Sequence, residues 1–196
     1  MARARKLFPV YGSAVANHIL VAVGRGRLVD RFVAAYVAEY DRRGILGEAA
    51  RDRELAETIG REVVLATIVE VRGALPKFFG KKQHQKLKED QKQAVDAFFR
   101  ELIAALERAW SLNAEEQRRF ARDLALYSES GSGRAAPAKS KKGNLQKEEP
   151  PFIGRVALLL DPSMLEQARR ASRKFHGEVT RNAQRLLKQT LRPGDG

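Results

Sequence analysis

Apolar positions along the first 127 residues recur at helical spacing. Leu28, Phe32, Tyr36 and Tyr40 fall four apart, with Val29, Val33 and Val37 beside them, which predicts an amphipathic helix over 28–43. Val15, Ile19 and Val23 mark an earlier helix that Ser13 can cap, and "GRGR" at 24–27 breaks the chain between the two. A third helix is predicted over 48–73. Its first half is polar, with Glu57 and Arg61 one turn apart; its second half, "VVLATIVEV", is apolar on nearly all sides. A buried strand over 62–72 would show the same run, and periodicity does not separate the two. The helical frame on both sides favours a buried central helix. Pro76 and Gly80 mark a connection. A fourth helix, over 83–110, carries Leu87, Val95, Phe98, Phe99, Leu102, Ile103, Leu106 and Trp110. Asn113 with Glu116 three residues on is a capping-box arrangement, and Phe120, Leu124 and Tyr127 face inward along the fifth helix it starts. Residues 1–127 are thus expected to form a helical bundle with one core.

The pattern stops at 128–151, "SESGSGRAAPAKSKKGNLQKEEPP", which reads as a flexible linker. Beyond it, Val156, Leu158 and Leu160 alternate with Arg155, Ala157 and Leu159, as on the two faces of a strand. Asp161 is placed to cap a helix with Pro162 at its first position, and Met164, Leu165, Ala168, Ala171 and Phe175 follow on one face. Gly177 is expected to end that helix and Thr180 to cap another, with Ala183, Leu186, Leu187 and Leu191 inward. The expected fold class is mainly α: an N-terminal helical bundle, a flexible linker, and a C-terminal strand–helix–helix module over 152–196. Such a module has too few apolar groups to fold alone, and its strand has no partner in the rest of the chain. Two copies pairing their strands would meet both needs.

Residues 154–191 resemble the ribbon–helix–helix family of DNA-binding repressors. The resemblance rests on the alternating strand in "GRVALLLDPSML", the helix cap straight after it, the glycine turn, and the apolar phasing of "VTRNAQRLLKQTL". It implies a homodimer through 154–191 whose two-stranded ribbon enters the major groove, with Arg155, Ala157 and Leu159 at the base edges. Arg155 suits guanine; Ala157 and Leu159 depart from the polar residues usual there and would at most touch thymine methyls. The resemblance also implies a phosphate clamp at Thr180, Arg181 and Asn182, where a helix N-terminus presents free N–H groups.

Charge supports an anionic partner. Lys and Arg number 37 against 24 Asp and Glu, a net charge of +13. The excess is concentrated: residues 152–196 hold nine basic and four acidic residues. Arg169, Arg170, Arg173 and Lys174 either add to this field or only solvate a helix. A secondary basic patch for nucleic acid is expected where "PKFFGKKQHQKLKEDQKQ" joins Phe78 and Phe79 to Lys77, Lys81, Lys82, Lys86 and Lys88, unless the two aromatics plug the end of the bundle.

Other chemistry is excluded or weak. With no cysteine, disulfides, thiolate metal sites and a cysteine nucleophile are ruled out, which fits a cytoplasmic protein. No apolar run is long enough for a membrane span. The first 29 residues lack an acidic group, as export signals do, but Asn17 and His18 interrupt the apolar stretch and a first helix is the preferred reading. His18, His84 and His176 stand in no metal-ligand spacing; His18 reads as a core residue and His176 as a helix terminator. Asp52, Glu54 and Glu57 share a helix with Arg51, Arg53 and Arg61 and read as a salt-bridged solvent face. No nucleophile stands out, so neither enzyme activity nor a cofactor is expected. The expected function is a DNA-binding protein, a transcriptional repressor or a plasmid or chromosome maintenance factor, dimeric through its tail. Its bundle would sense, oligomerise or hold a protein partner. The alternative is a helical scaffold or adaptor that uses its C-terminal segment only for dimerisation or protein binding.

Overall fold

The computed structural model describes residues 2–24, 28–40, 49–78, 89–131 and 149–190. Among them are seven α-helices: α1 (Ala2–Gly24), α2 (Leu28–Tyr40), α3 (Ala49–Phe78), α4 (Glu89–Ala109), α5 (Ala114–Gly131), α6 (Pro151–Leu160) and α7 (Leu165–Thr190). A 3-10 turn, Pro162–Met164, joins the last two. No strand occurs among the described residues.

The apolar run in the third element is helical. Val63, Val64, Leu65, Ala66, Thr67 and Ile68 are all buried, as a helix surrounded on every side requires. α3 meets α1, α2, α5, α6 and α7. It continues through Pro76, where a connection was expected. α1 lies along α4, and Gly12 sets their separation: a Cβ there would stand 2.6 Å from the Phe98 carbonyl oxygen. Ser13 and Arg108 both hydrogen-bond Glu101 across and along this pair.

The α4–α5 corner follows its sequence signals. Asn113 Oδ1 accepts the N–H groups of Glu115 and Glu116, each at 3.0 Å, and Glu116 Oε2 accepts that of Asn113 at 2.9 Å, completing the capping box. α4 ends in a reversed turn: Leu112 N–H donates to Glu107 and Ser111 N–H to Arg108, with Ser111 at φ 52°. Trp110 closes the corner edge-on against Phe120, centroids 5.8 Å apart.

The C-terminal segment departs from the strand–helix–helix expectation. Residues 151–160 are helix α6, and the reason lies in the residues upstream of the alternating run. Phe152, Ile153, Val156, Ala157 and Leu160 fall on one helical face and all are buried, whereas Leu158, expected on the strand face of Val156 and Leu160, is 57% exposed. Pro151 occupies the first turn, where a missing N–H costs nothing. Asp161 then caps as expected, accepting from Ser163 N–H at 2.8 Å and Met164 N–H at 3.3 Å.

α7 runs unbroken through Gly177, where a stop was expected. Ala168, Ser172, Phe175, Val179, Ala183 and Leu187 make one continuous buried stripe. Burying its large members contributes roughly 1.5–3 kcal/mol each, which outweighs the about 1 kcal/mol that a mid-helix glycine costs. Phe175 stacks on Phe32 of α2 with centroids 3.9 Å apart and also meets Phe152 of α6. One core therefore joins the N-terminal helices to α6 and α7. Val156 and Leu160, expected to need a second copy of the chain, are covered by the chain's own helices. Described residues from the 1–127 and the 152–196 stretches thus share this core. Of the expected 128–151 linker, α5 takes the residues up to Gly131 and α6 begins at Pro151, while 132–148 lie outside the described residues.

Candidate nucleic-acid interface

Arg155, expected to read bases, is committed inside the fold. Its Nη2 donates to Asp123 of α5 at 2.9 Å, and its Nη1 lies 3.4 Å from Glu62 of α3. The guanidinium also sits over the Tyr127 ring, 5.7 Å from its centroid. Burial works against the charge on Arg155, but the Asp123 hydrogen bond and the two carboxylates outweigh it and hold the guanidinium charged. Tyr127 donates its hydroxyl to Glu62. Burial first, then the Glu62 charge, push the phenol far above its ordinary value, so it stays protonated and remains a donor. This cluster ties α6 to α3 and α5. Ala157 is fully buried and Leu159 half-buried. The base-reading ribbon expected of these three positions does not form.

Thr180, Arg181 and Asn182 stand in the middle of α7 and not at a helix N-terminus. Their N–H groups belong to the helix ladder and are not free for phosphate. Arg181 alone of the three is exposed, and it belongs to a different arrangement. Arg170, Lys174, Arg181, Arg185 and Lys188 are all exposed. At about 100° and 1.5 Å per residue they share one face of α7, opposite its buried stripe, over about 27 Å. None of the five has an ion pair among the described residues. Glu178 sits beside the row, half-buried and likewise unpaired among the described residues. The helix as a whole has seven Lys and Arg against two Glu.

Arg169, Arg170, Arg173 and Lys174 divide into two pairs. Arg173 pairs with Glu149 at 2.7 Å and Arg169 approaches the same carboxylate at 3.7 Å, which fastens the chain just before α6 onto α7. Arg170 and Lys174 belong to the open row. The sequence signal for it was the spacing 170, 174, 181, 185, 188, legible only on a helix that passes through Gly177. Lys81, Lys82, Lys86 and Lys88 of the secondary patch lie outside the described residues, as does the side chain of Lys77.

Other clusters are structural. His18 is exposed and not in the core. His176 lies mid-helix, half-buried, with Nε2 3.9 Å from Glu70; burial lowers its pKa and Glu70 partly restores it. Ser172 is one turn away and fully buried, its hydroxyl without a hydrogen-bond partner. A serine so enclosed cannot meet a substrate. Arg53 and Glu57 pair at 3.3 Å on the exposed face of α3, as a solvated charge run would. A groove of about 1,020 Å³ lies between α2, α3 and the α4–α5 corner, floored by Val33, Val37 and Trp110 and rimmed by charges of both signs. No helix among the described residues is long and apolar enough to cross a membrane. Comparison with protein-family models, with curated proteins and with solved structures finds no match to this chain.

Proposed function

We propose that this protein binds duplex DNA in the cytoplasm through the outer face of α7, by phosphate contacts and without base reading. The observation that carries the proposal is the row Arg170, Lys174, Arg181, Arg185 and Lys188, exposed and without ion pairs among the described residues. The buried stripe of α7 fixes the helix to the body, so the row is presented on a rigid support and little ordering is needed on binding. A duplex offers one negative charge per about 1.7 Å of its axis, so a basic row about 27 Å long meets many phosphates at once. By contrast, α5 sets Arg118, Arg119 and Arg122 against four carboxylates, where α7 sets seven Lys and Arg against two, so the field outside α5 is weaker. Such binding suits a repressor or a plasmid or chromosome maintenance factor that acts by coating or bridging.

The test is fluorescence anisotropy of the full chain with a 20-base-pair duplex at several salt concentrations. Five phosphate contacts give a slope of log affinity against log salt of about −4.5. Replacing Arg170, Arg181 and Lys188 together by Gln should flatten it by about three. Replacing Arg118, Arg119 and Arg122 by Gln removes the same charge elsewhere and should leave most of the slope. Equal losses from the two triple variants would mean that only net charge matters, and the proposed interface would be wrong.

A further inference from the structure

A cleft of about 250 Å³ lies where α5 meets α3 and α4. Its floor is apolar: Ile68 and Val69 from α3, Phe99 and Ile103 from α4, and Leu124 from α5. Its charged lining is unbalanced, with Arg72 and Arg100 against the single carboxylate of Asp96. The Arg72 guanidinium lies over the Phe99 ring, 5.7 Å from the centroid, so a cation is held directly against the apolar floor. Neither arginine has an ion pair among the described residues, although Asp96 is one turn before Arg100 on the same helix.

We propose that this cleft binds a small amphiphilic carboxylate, its tail on the apolar floor and its head on Arg72 and Arg100. A purely polar anion would leave the floor unused. A cationic amphiphile would face two guanidiniums. An uncharged one would forgo the charge-assisted hydrogen bonds that guanidinium makes with carboxylate. The cavity falls below the roughly 300–1,000 Å³ usual for drug-sized ligands, so the occupant is a short chain or a single ring. Because three helices line the cleft, an occupant also fastens α5 to α3 and α4.

Octanoate is the probe, titrated into the full chain by calorimetry, with methyl NMR of Ile68, Ile103 and Leu124 to locate it. Octanoate should perturb those methyl groups and bind more tightly than octan-1-ol, and octylammonium should bind weakest. The double variant R72Q/R100Q should weaken octanoate by about tenfold or more. D96N should tighten it several-fold, a gain that partial unfolding cannot produce. The proposal is overturned by octylammonium binding as tightly as octanoate, by unchanged affinity in R72Q/R100Q, by methyl perturbations confined to other parts of the protein, or by no binding at millimolar concentration.

Discussion

Replacing Gly177 by Ala distinguishes a continuous α7 from a helix–turn–helix break at the same position. In the structure Gly177 is helical and half-buried, and an added Cβ would meet only the flexible end of Arg181, whose Nη1 stands 3.8 Å away. That is ordinary van der Waals contact. The substitution therefore removes the backbone freedom that glycine gives the unfolded chain and leaves the folded packing intact. In a helix interior this exchange stabilises by roughly 0.5–1 kcal/mol. For a protein of this size, about 1 kcal/mol corresponds to a rise in Tm of about 2–4 °C. Urea unfolding followed by far-ultraviolet circular dichroism should show a higher midpoint with an unchanged m-value. A glycine that ended one helix in the left-handed region would respond in the opposite sense, because alanine is strained there. A lowered midpoint for Gly177→Ala would refute the continuous helix, and with it the alignment of the basic row.

Four further substitutions test other contacts of the fold. Ser111→Gly should stabilise by about 0.5–1 kcal/mol in the same assay, since a side chain at φ 52° is strained and glycine is not. Gly12→Ala should destabilise by about 1–3 kcal/mol, because its Cβ would sit 2.6 Å from the Phe98 carbonyl and force α1 away from α4; thermal unfolding at an unchanged or raised Tm would contradict that close approach. Arg155→Ala should cost about 1–3 kcal/mol by leaving Glu62 and Asp123 without their shared cation, while DNA affinity, measured where the variant is folded, stays near that of the parent. His176 has a folded pKa below its ordinary 6.5, because burial disfavours the imidazolium. The unfolded chain therefore takes up a proton before the folded one does, and stability falls as pH drops below about 6.5 until the folded pKa is passed. His176→Gln should lose less stability than the parent between pH 7.5 and pH 5; parallel curves would show that this group does not contribute.

The sequence exposed most of the helices and some of their ends. The stripe of α2 and the Asn113–Glu116 box were readable because each is a local arrangement whose partners lie within one or two turns. The Asp161 cap was readable for the same reason. α6 resembles a strand locally because Val156, Leu158 and Leu160 alternate after Gly154, and the helical face becomes visible only with Phe152 and Ile153. Gly177 looks like a helix end because glycine is a good local stop signal, and nothing nearby in sequence states that Phe32 will stack on Phe175.

The candidate site follows the same division. Its net charge and its concentration in the tail come from composition. Which arginines remain open does not. Arg155 is taken by carboxylates 93 and 32 residues away, and Arg173 by Glu149. By itself the sequence determined a helical, strongly basic protein, because helical periodicity and charge are properties of neighbouring residues. Only the tertiary structure decided that α6 and α7 complete the core of the same chain, and which cations they leave facing solvent. Burial and ion pairing depend on residues far apart in sequence, and the packing around α3 brings those residues together.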